Sequence, residues 1–69
     1  MTLRIYVRWP NQVVTDKTVT ESETVAALAF DELKQQREDL KARGALGIAF
    51  SRDGKQADYI ELNLDGARG

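Results

Sequence analysis

The chain has 69 residues, ten basic and eleven acidic, and a formal net charge of −1 at pH 7. It contains neither cysteine nor histidine, which excludes disulfides, thiolate nucleophiles and imidazole chemistry. A single domain over residues 1–64 is expected, followed by a flexible C-terminal tail over residues 65–69. Because the core of so short a chain is thin, a homodimer stays an open alternative.

Basic and acidic residues are interspersed, so nucleic acid is not expected as the main partner and a membrane partner is not expected. No apolar run approaches the roughly 20 residues that a membrane span requires. No charged-then-apolar leader opens the sequence, and a cytoplasmic location is therefore expected.

The first strand-like run extends from Thr2 to about Trp9 and alternates without a fault. Strand side chains point to opposite faces in turn, so the run predicts one buried and one open face. The inward set is Leu3, Ile5, Val7 and Trp9, and the outward set is Arg4, Tyr6 and Arg8. We expect Trp9 to cap the end of the core.

A second strand is predicted from Gln12 to Thr20, after a break at Pro10-Asn11. Its valines change phase across Asp16-Lys17, which indicates either a bulge or a second turn and leaves the register open. The pair of charges also suggests that this strand is an edge of the sheet that is protected against pairing with another strand.

One long helix is predicted to begin within Thr20–Thr24 and to end near Arg43, with Gly44 as its left-handed terminator. Thr20, Ser22 and Thr24 are the candidate N-caps. The expected buried stripe is Val25, Ala29, Leu33, Gln36 and Leu40. Phe30 and Leu28 lie to either side of that stripe, so one of the two is expected to be half exposed.

Two further strands are predicted, one over residues 45–51 and one over residues 58–64. Leu46, Ile48 and Phe50 would face the core, as would the even-numbered residues Ile60, Leu62 and Leu64. Facing residues of a hairpin must share a face, so their numbers must have an even sum. That condition favours a three-residue loop, Arg52-Asp53-Gly54, over a two-residue one.

This order of elements predicts an α+β fold, ββαββ, with a four-stranded mixed sheet and one long helix packed on one face. It resembles the β-grasp architecture of ubiquitin-like proteins, most closely at Val19-Thr20-Glu21-Ser22-Glu23-Thr24-Val25. The resemblance implies that strands one and four lie parallel at the centre, with strands two and three at the edges. An antiparallel sheet in another strand order is the alternative.

The open sheet face is the main candidate binding surface. Its residues would be Arg4, Tyr6, Arg8, Tyr59 and Glu61, together with Asn63. A protein partner is expected there. Single-stranded nucleic acid is the alternative, since tyrosines can stack bases and arginines can hold phosphates. The structural alternative is that an arginine of strand one pairs with Glu61 and that the tyrosines only cover the sheet.

A second candidate surface is the edge of strand three, where Ala45, Gly47 and Ala49 leave the backbone accessible to an added strand. The alternative is that these small residues accommodate bulky neighbours. The resemblance also implies a third function, a ubiquitin-like carrier acting through Gly69. The chain departs from that pattern, because it ends Arg68-Gly69 where carriers have two glycines.

No enzymatic activity, cofactor or metal site is expected. The serines have no histidine to activate them, and no glycine-rich loop is placed to hold a phosphate. The helix carboxylates alternate with lysines and arginines at spacings typical of a solvated surface with ion pairs one turn apart. The sequence therefore favours a small non-catalytic binding module.

Overall fold

The computed structural model describes residues 1–63 and has an α+β fold in which two helices pack on a four-stranded sheet. A short 3₁₀ turn at Pro10–Gln12 joins the first two strands. Leu64 and the segment 65–69, including Gly69, lie outside the described residues. The elements are β1 (Leu3–Trp9), β2 (Val13–Thr20), α1 (Glu23–Gln35), α2 (Arg37–Arg43), β3 (Gly47–Arg52) and β4 (Lys55–Glu61).

The sheet has the strand order β2-β1-β3-β4, and every neighbouring pair is antiparallel. The expected mixed sheet with a parallel β1/β4 pair is therefore wrong, and the antiparallel alternative is the one observed. The return from α2 brings β3 alongside β1 over the whole length of both strands. Leu46 N donates to Arg8 O at 2.7 Å at one end, and Asp53 N donates to Thr2 O at 2.8 Å at the other.

β3 is thus a central strand, which overturns the expectation that it forms an edge. Ala45, Gly47 and Ala49 are all buried, and both sides of β3 are hydrogen-bonded to other strands. The reason is that β1 occupies the side that a β-grasp would leave free. The expectation that β2 is an edge strand is confirmed, and β4 is the other edge.

The helical region begins as expected, with Ser22 as N-cap. Its Oγ accepts a hydrogen bond from Val25 N at 3.2 Å. The prediction of one uninterrupted helix is wrong, because Gln36 leaves the helical conformation with φ −97° and ψ 6°. Gln36 N donates instead to Leu33 O, three residues back, which tightens the chain locally. The second segment ends at Gly44, which has the expected left-handed conformation with φ 101°.

The helices bury a face that is rotated from the expected stripe. The buried helix residues are Ala26, Phe30, Leu33 and Leu40. Val25, expected inside, is 46% exposed. Phe30 packs edge-to-face on Phe50, with ring centroids 5.4 Å apart, and this contact accounts for the rotation. Leu28 is 62% exposed, which confirms that one of the two flanking residues is left outside the core.

The inward set of β1 is confirmed. Leu3, Ile5 and Val7 are fully buried and form the core with Ile48 of β3. Trp9 is partly buried and packs against the end of this cluster, as expected of a cap. Its indole Nε1 donates to Thr15 Oγ1 at 2.6 Å, so the polar edge of the ring is satisfied by β2.

The β3–β4 hairpin brings residues of the same face opposite each other, as expected, but it does so with a two-residue loop and a bulge. Its loop has two residues, Asp53 and Gly54, both with positive φ, as a tight hairpin turn requires. A bulge beyond Phe50 then restores the correct faces, so Ile48 lies opposite Ile60. The expected three-residue loop is wrong because the extra residue is placed in β4 instead of the turn.

Asn63 follows β4, and its side-chain amide hydrogen-bonds to backbone carbonyls at the end of α2. Nδ2 donates to Lys41 O at 3.1 Å and to Ala45 O at 2.8 Å. The expectation that Asn63 belongs to the open face is therefore wrong, since these carbonyls draw its side chain toward the end of α2.

We expect Asn63→Asp to lower the free energy of unfolding by about 1–2 kcal/mol. A carboxylate cannot donate, and it adds negative charge at the negative end of a helix. Urea unfolding followed by circular dichroism measures the loss. Asn63→Ala is the matched control, because it removes the hydrogen bonds without adding charge and should cost less. An aspartate variant as stable as the wild type would contradict this role.

Candidate binding face

The face of the sheet opposite the helices presents the outward set of β1. Arg4, Tyr6 and Arg8 are each half-buried there. Their expected neighbour was β4, but β3 lies between. Across β3 they face only small side chains, with Ser51 opposite Arg4, Ala49 opposite Tyr6 and Gly47 opposite Arg8.

The small residues of β3 let Tyr59 reach back toward β1. Tyr59 lies opposite Ala49, and its ring extends over Gly47, where a side chain would collide with it. The ring then meets Arg8, whose guanidinium carbon is 5.9 Å from the ring centroid. The structure thus brings Tyr59 together with the β1 residues across an intervening strand. It also supports the view that Gly47 is small in order to accommodate a bulky neighbour.

Glu61 does not neutralise the arginines of β1. The ion pairs found within residues 1–63 join Arg43 to Asp39 and Arg52 to Glu23, and neither involves this face. Glu61 lies opposite Gly47 on the far side of β3 from β1. The structural alternative of an arginine–Glu61 ion pair is therefore not observed among the described residues, which leaves the guanidinium groups of Arg4 and Arg8 available to a ligand.

On the other side of β1, β2 contains the bulge that the change of phase suggested. The register shifts between Ile5 and Val7, and Asp16 has the left-handed φ of 54°. Lys17, at this bulge, lines a groove on the open face and also a smaller groove between β2 and α1. Sequence reasoning missed Lys17 as a site residue. The loss of alternation at Asp16-Lys17 was the signal that could have found it.

The groove has a volume of about 650 Å³. Its lining consists of Arg4, Tyr6, Arg8, Gln12, Val14, Lys17, Ser51 and Gly54. Three of these side chains are cationic, and no Asp or Glu is among them. Although the whole chain is almost neutral, this surface is locally positive, so it suits an anionic ligand better than a neutral one.

A second groove, of about 870 Å³, lies between α1 and the β3–β4 hairpin. Leu28, Phe30 and Phe50 line its apolar part. The Arg52–Glu23 ion pair joins two of its lining residues, with Nη2 and Oε1 3.2 Å apart. Three acidic and two basic side chains are mixed around it, so it lacks the single sign of charge that the first groove has.

Over residues 1–63, no group of three or more side chains of the metal-ligating types is arranged to hold a metal ion. The helices in the same stretch are too short and too polar to cross a membrane. No protein-family model, curated protein or solved structure matches the chain. The function must therefore be argued from the chemistry of its surfaces.

Proposed function

We propose that the protein is a non-catalytic binding module that recognises an acidic segment of a protein partner through the open sheet face. The observation that carries the proposal is the charge of the groove. Arg4, Arg8 and Lys17 surround Tyr6, and no carboxylate lines the groove that they form. An acidic chain would gain favourable interactions with all of these cations without displacing an existing ion pair of the described residues.

The shape and composition of the groove fit an extended peptide. It follows β1, whose outward side chains are spaced as on any strand. Tyr6 lies between the two arginines and offers a flat ring with a hydroxyl, a combination enriched at protein interfaces. Every second side chain of an extended segment points the same way, so a segment that is acidic at alternate positions would direct its carboxylates toward the arginines.

Single-stranded nucleic acid is the second candidate, and the Arg8–Tyr59 contact favours it. A tyrosine ring held over the sheet beside an arginine is a possible stacking platform for a base. The position of Glu61 favours the protein partner over nucleic acid. Glu61 lies opposite Gly47, beside the Tyr59 ring on which a base would stack, whereas no carboxylate lines the groove along β1. The carrier function through Gly69 has no comparable support, because it rests on the β-grasp resemblance, whose parallel β1/β4 pair is not observed.

The proposal is tested with a fluorescein-labelled peptide of alternating glutamate and valine, titrated with protein and followed by fluorescence anisotropy. We expect binding that weakens with salt and at least about tenfold weaker binding by the Arg4→Gln/Arg8→Gln double variant. Arg43→Gln is the matched control. It removes an exposed arginine from α2 and should bind as the wild type does.

Two further ligands separate the candidates. A peptide with lysine in place of glutamate should not bind. A mixed single-stranded oligonucleotide that binds with a steep salt dependence, while the acidic peptide does not, would replace the first candidate by the second. Equal affinity of the double variant and the wild type for the acidic peptide would overturn the proposal.

A further inference from the structure

The free edge of β2 exposes apolar side chains on a strand that has a neighbour on one side only. Val14 is 45% exposed and Val19 is 54% exposed. The other edge, β4, presents mainly charged and polar residues such as Lys55, Gln56 and Asp58. Exposed apolar side chains on an unpaired edge strand favour the addition of another strand. The charges of Asp16 and Lys17, which the sequence suggests as protection of this edge, are complementary to each other.

The bulge makes β2 symmetrical about its own centre. Val14 and Val19 lie opposite Arg8 and Arg4, so both point to the open face. The threonines next to them, Thr15 and Thr18, lie opposite Val7 and Ile5 and so point to the helix face. Read outward from the bulge in either direction, the strand presents a charge, then a threonine, then a valine.

We infer that β2 pairs antiparallel with β2 of a second copy of this chain, about a two-fold axis through the bulge. In that register Val14 lies opposite Val19 of the second copy, and Asp16 lies opposite its Lys17. Each pair occurs twice, as an isologous interface requires. Asp16 and Lys17 both line a small groove between β2 and α1, and Asp16 Oδ2 accepts a hydrogen bond from Thr15 Oγ1 at 3.2 Å.

Only this register satisfies both the faces and the charges. Residues directly opposite each other must share a face, and in a regular strand this requires an even sum of residue numbers. The bulge adds one residue to β2, so a residue before it and a residue after it share a face when the sum of their numbers is odd. Moving the register by one residue places Val19 opposite Thr15, on the wrong face. A shift of two residues in one direction puts Asp16 opposite Val19. A shift of two in the other direction puts Asp16 opposite Thr15, so the complementary pair of charges is lost in both cases.

The sequence of β2 favours a second copy of the same strand as the partner. When two copies of the strand run antiparallel, Asp16 of each lies opposite Lys17 of the other. The pairing joins two sheets into one continuous sheet and leaves the open faces of both copies on the same side. It draws Lys17 toward Asp16 of the second copy, while Arg4 and Arg8 keep the positive charge of each groove. The inference is independent of the acidic partner proposed above.

The test is a charge exchange followed by sedimentation equilibrium, which gives the mass relative to the 7.7-kDa chain. At about 0.1 mM the wild type should sediment as a dimer, a concentration at which weak edge pairing is populated. Asp16→Lys and Lys17→Asp each place like charges opposite each other twice. Each should weaken the dimer by about tenfold or more.

Mixing the two variants restores complementary charges across the interface, and the mixture should form a heterodimer. This rescue separates a broken interface from a misfolded chain, which could not recover on mixing. Lys55→Asp is the matched control on the other edge and should remain dimeric. A wild type that stays monomeric, a dimer indifferent to both substitutions, or a mixture that fails to associate would each overturn the inference.

Discussion

Gly47→Ala is expected to lower the free energy of unfolding by about 2–3 kcal/mol, a large part of the stability of so small a domain. A Cβ at this position would collide with the Tyr59 ring and would lie 2.6 Å from the carbonyl oxygen of Ile60. The backbone oxygen cannot move without breaking the pairing of β3 with β4. The same substitution should push Tyr59 away from Arg8 and so alter the open face.

Two variants isolate this cause in urea denaturation. Gly54→Ala is the matched control, because a Cβ there meets no atom within 4 Å and only the positive φ of 81° opposes it. It should cost about 1 kcal/mol. Adding Tyr59→Ala to Gly47→Ala removes the collision with the ring but not that with the backbone, so part of the stability should return. Equal costs for the two glycine substitutions would contradict the close approach of Tyr59.

Phe30→Ala is expected to cost about 3–5 kcal/mol, enough to unfold much of the protein at room temperature. Phe30 is buried between the helices and the sheet, and it contacts Phe50 at an interplanar angle of 74°. Truncation removes this contact and leaves a cavity that the surrounding residues cannot fill. Thermal unfolding followed by circular dichroism measures the effect.

Leu28→Ala is the matched control for Phe30→Ala, since Leu28 lies two residues earlier on the same helix but is exposed. Its truncation should change the stability by no more than about 0.5 kcal/mol. The pair tests which side of the helix faces the sheet. A larger loss at Leu28 than at Phe30 would show that the helix packs with the other side inward.

Local patterns in the sequence predicted the strands and faces but not the way they are joined. The alternation of β1 identified Leu3, Ile5 and Val7 as core, because periodicity follows directly from strand geometry. The strand order was not predictable in this way. Both hairpins are local, but whether β3 or β4 lies beside β1 depends on where α2 delivers the chain, which no local pattern records.

The interruption of the helix at Gln36 was also not predictable from the local pattern of apolar residues. Leu33 and Leu40 are seven residues apart, a spacing that places both on one face of a continuous helix, so the pattern gave no sign of an interruption between them. The parity of the β3–β4 hairpin was predicted correctly, but a bulge and a longer loop satisfy it equally well. Sequence alone could not choose between them.

For the candidate site, the sequence identified Arg4, Tyr6 and Arg8 from the face that they share. The sequence also identified Tyr59, but on the wrong expectation that β4 lies directly beside β1. The contact between Tyr59 and Arg8 crosses β3 and exists only because Gly47 has no side chain. Lys17 joins the groove because a bulge redirects it. Both facts depend on contacts between strands that are distant in the sequence.

The most direct test of the proposed function is an amide-resolved NMR titration of the isotope-labelled protein with the unlabelled peptide of alternating glutamate and valine. We expect chemical shifts to change at Arg4, Tyr6, Arg8 and Lys17, and these changes should diminish as salt is added. Shifts confined to the groove lined by Leu28 and Phe50, or no shifts at all, would contradict the assignment of the open sheet face as the binding surface.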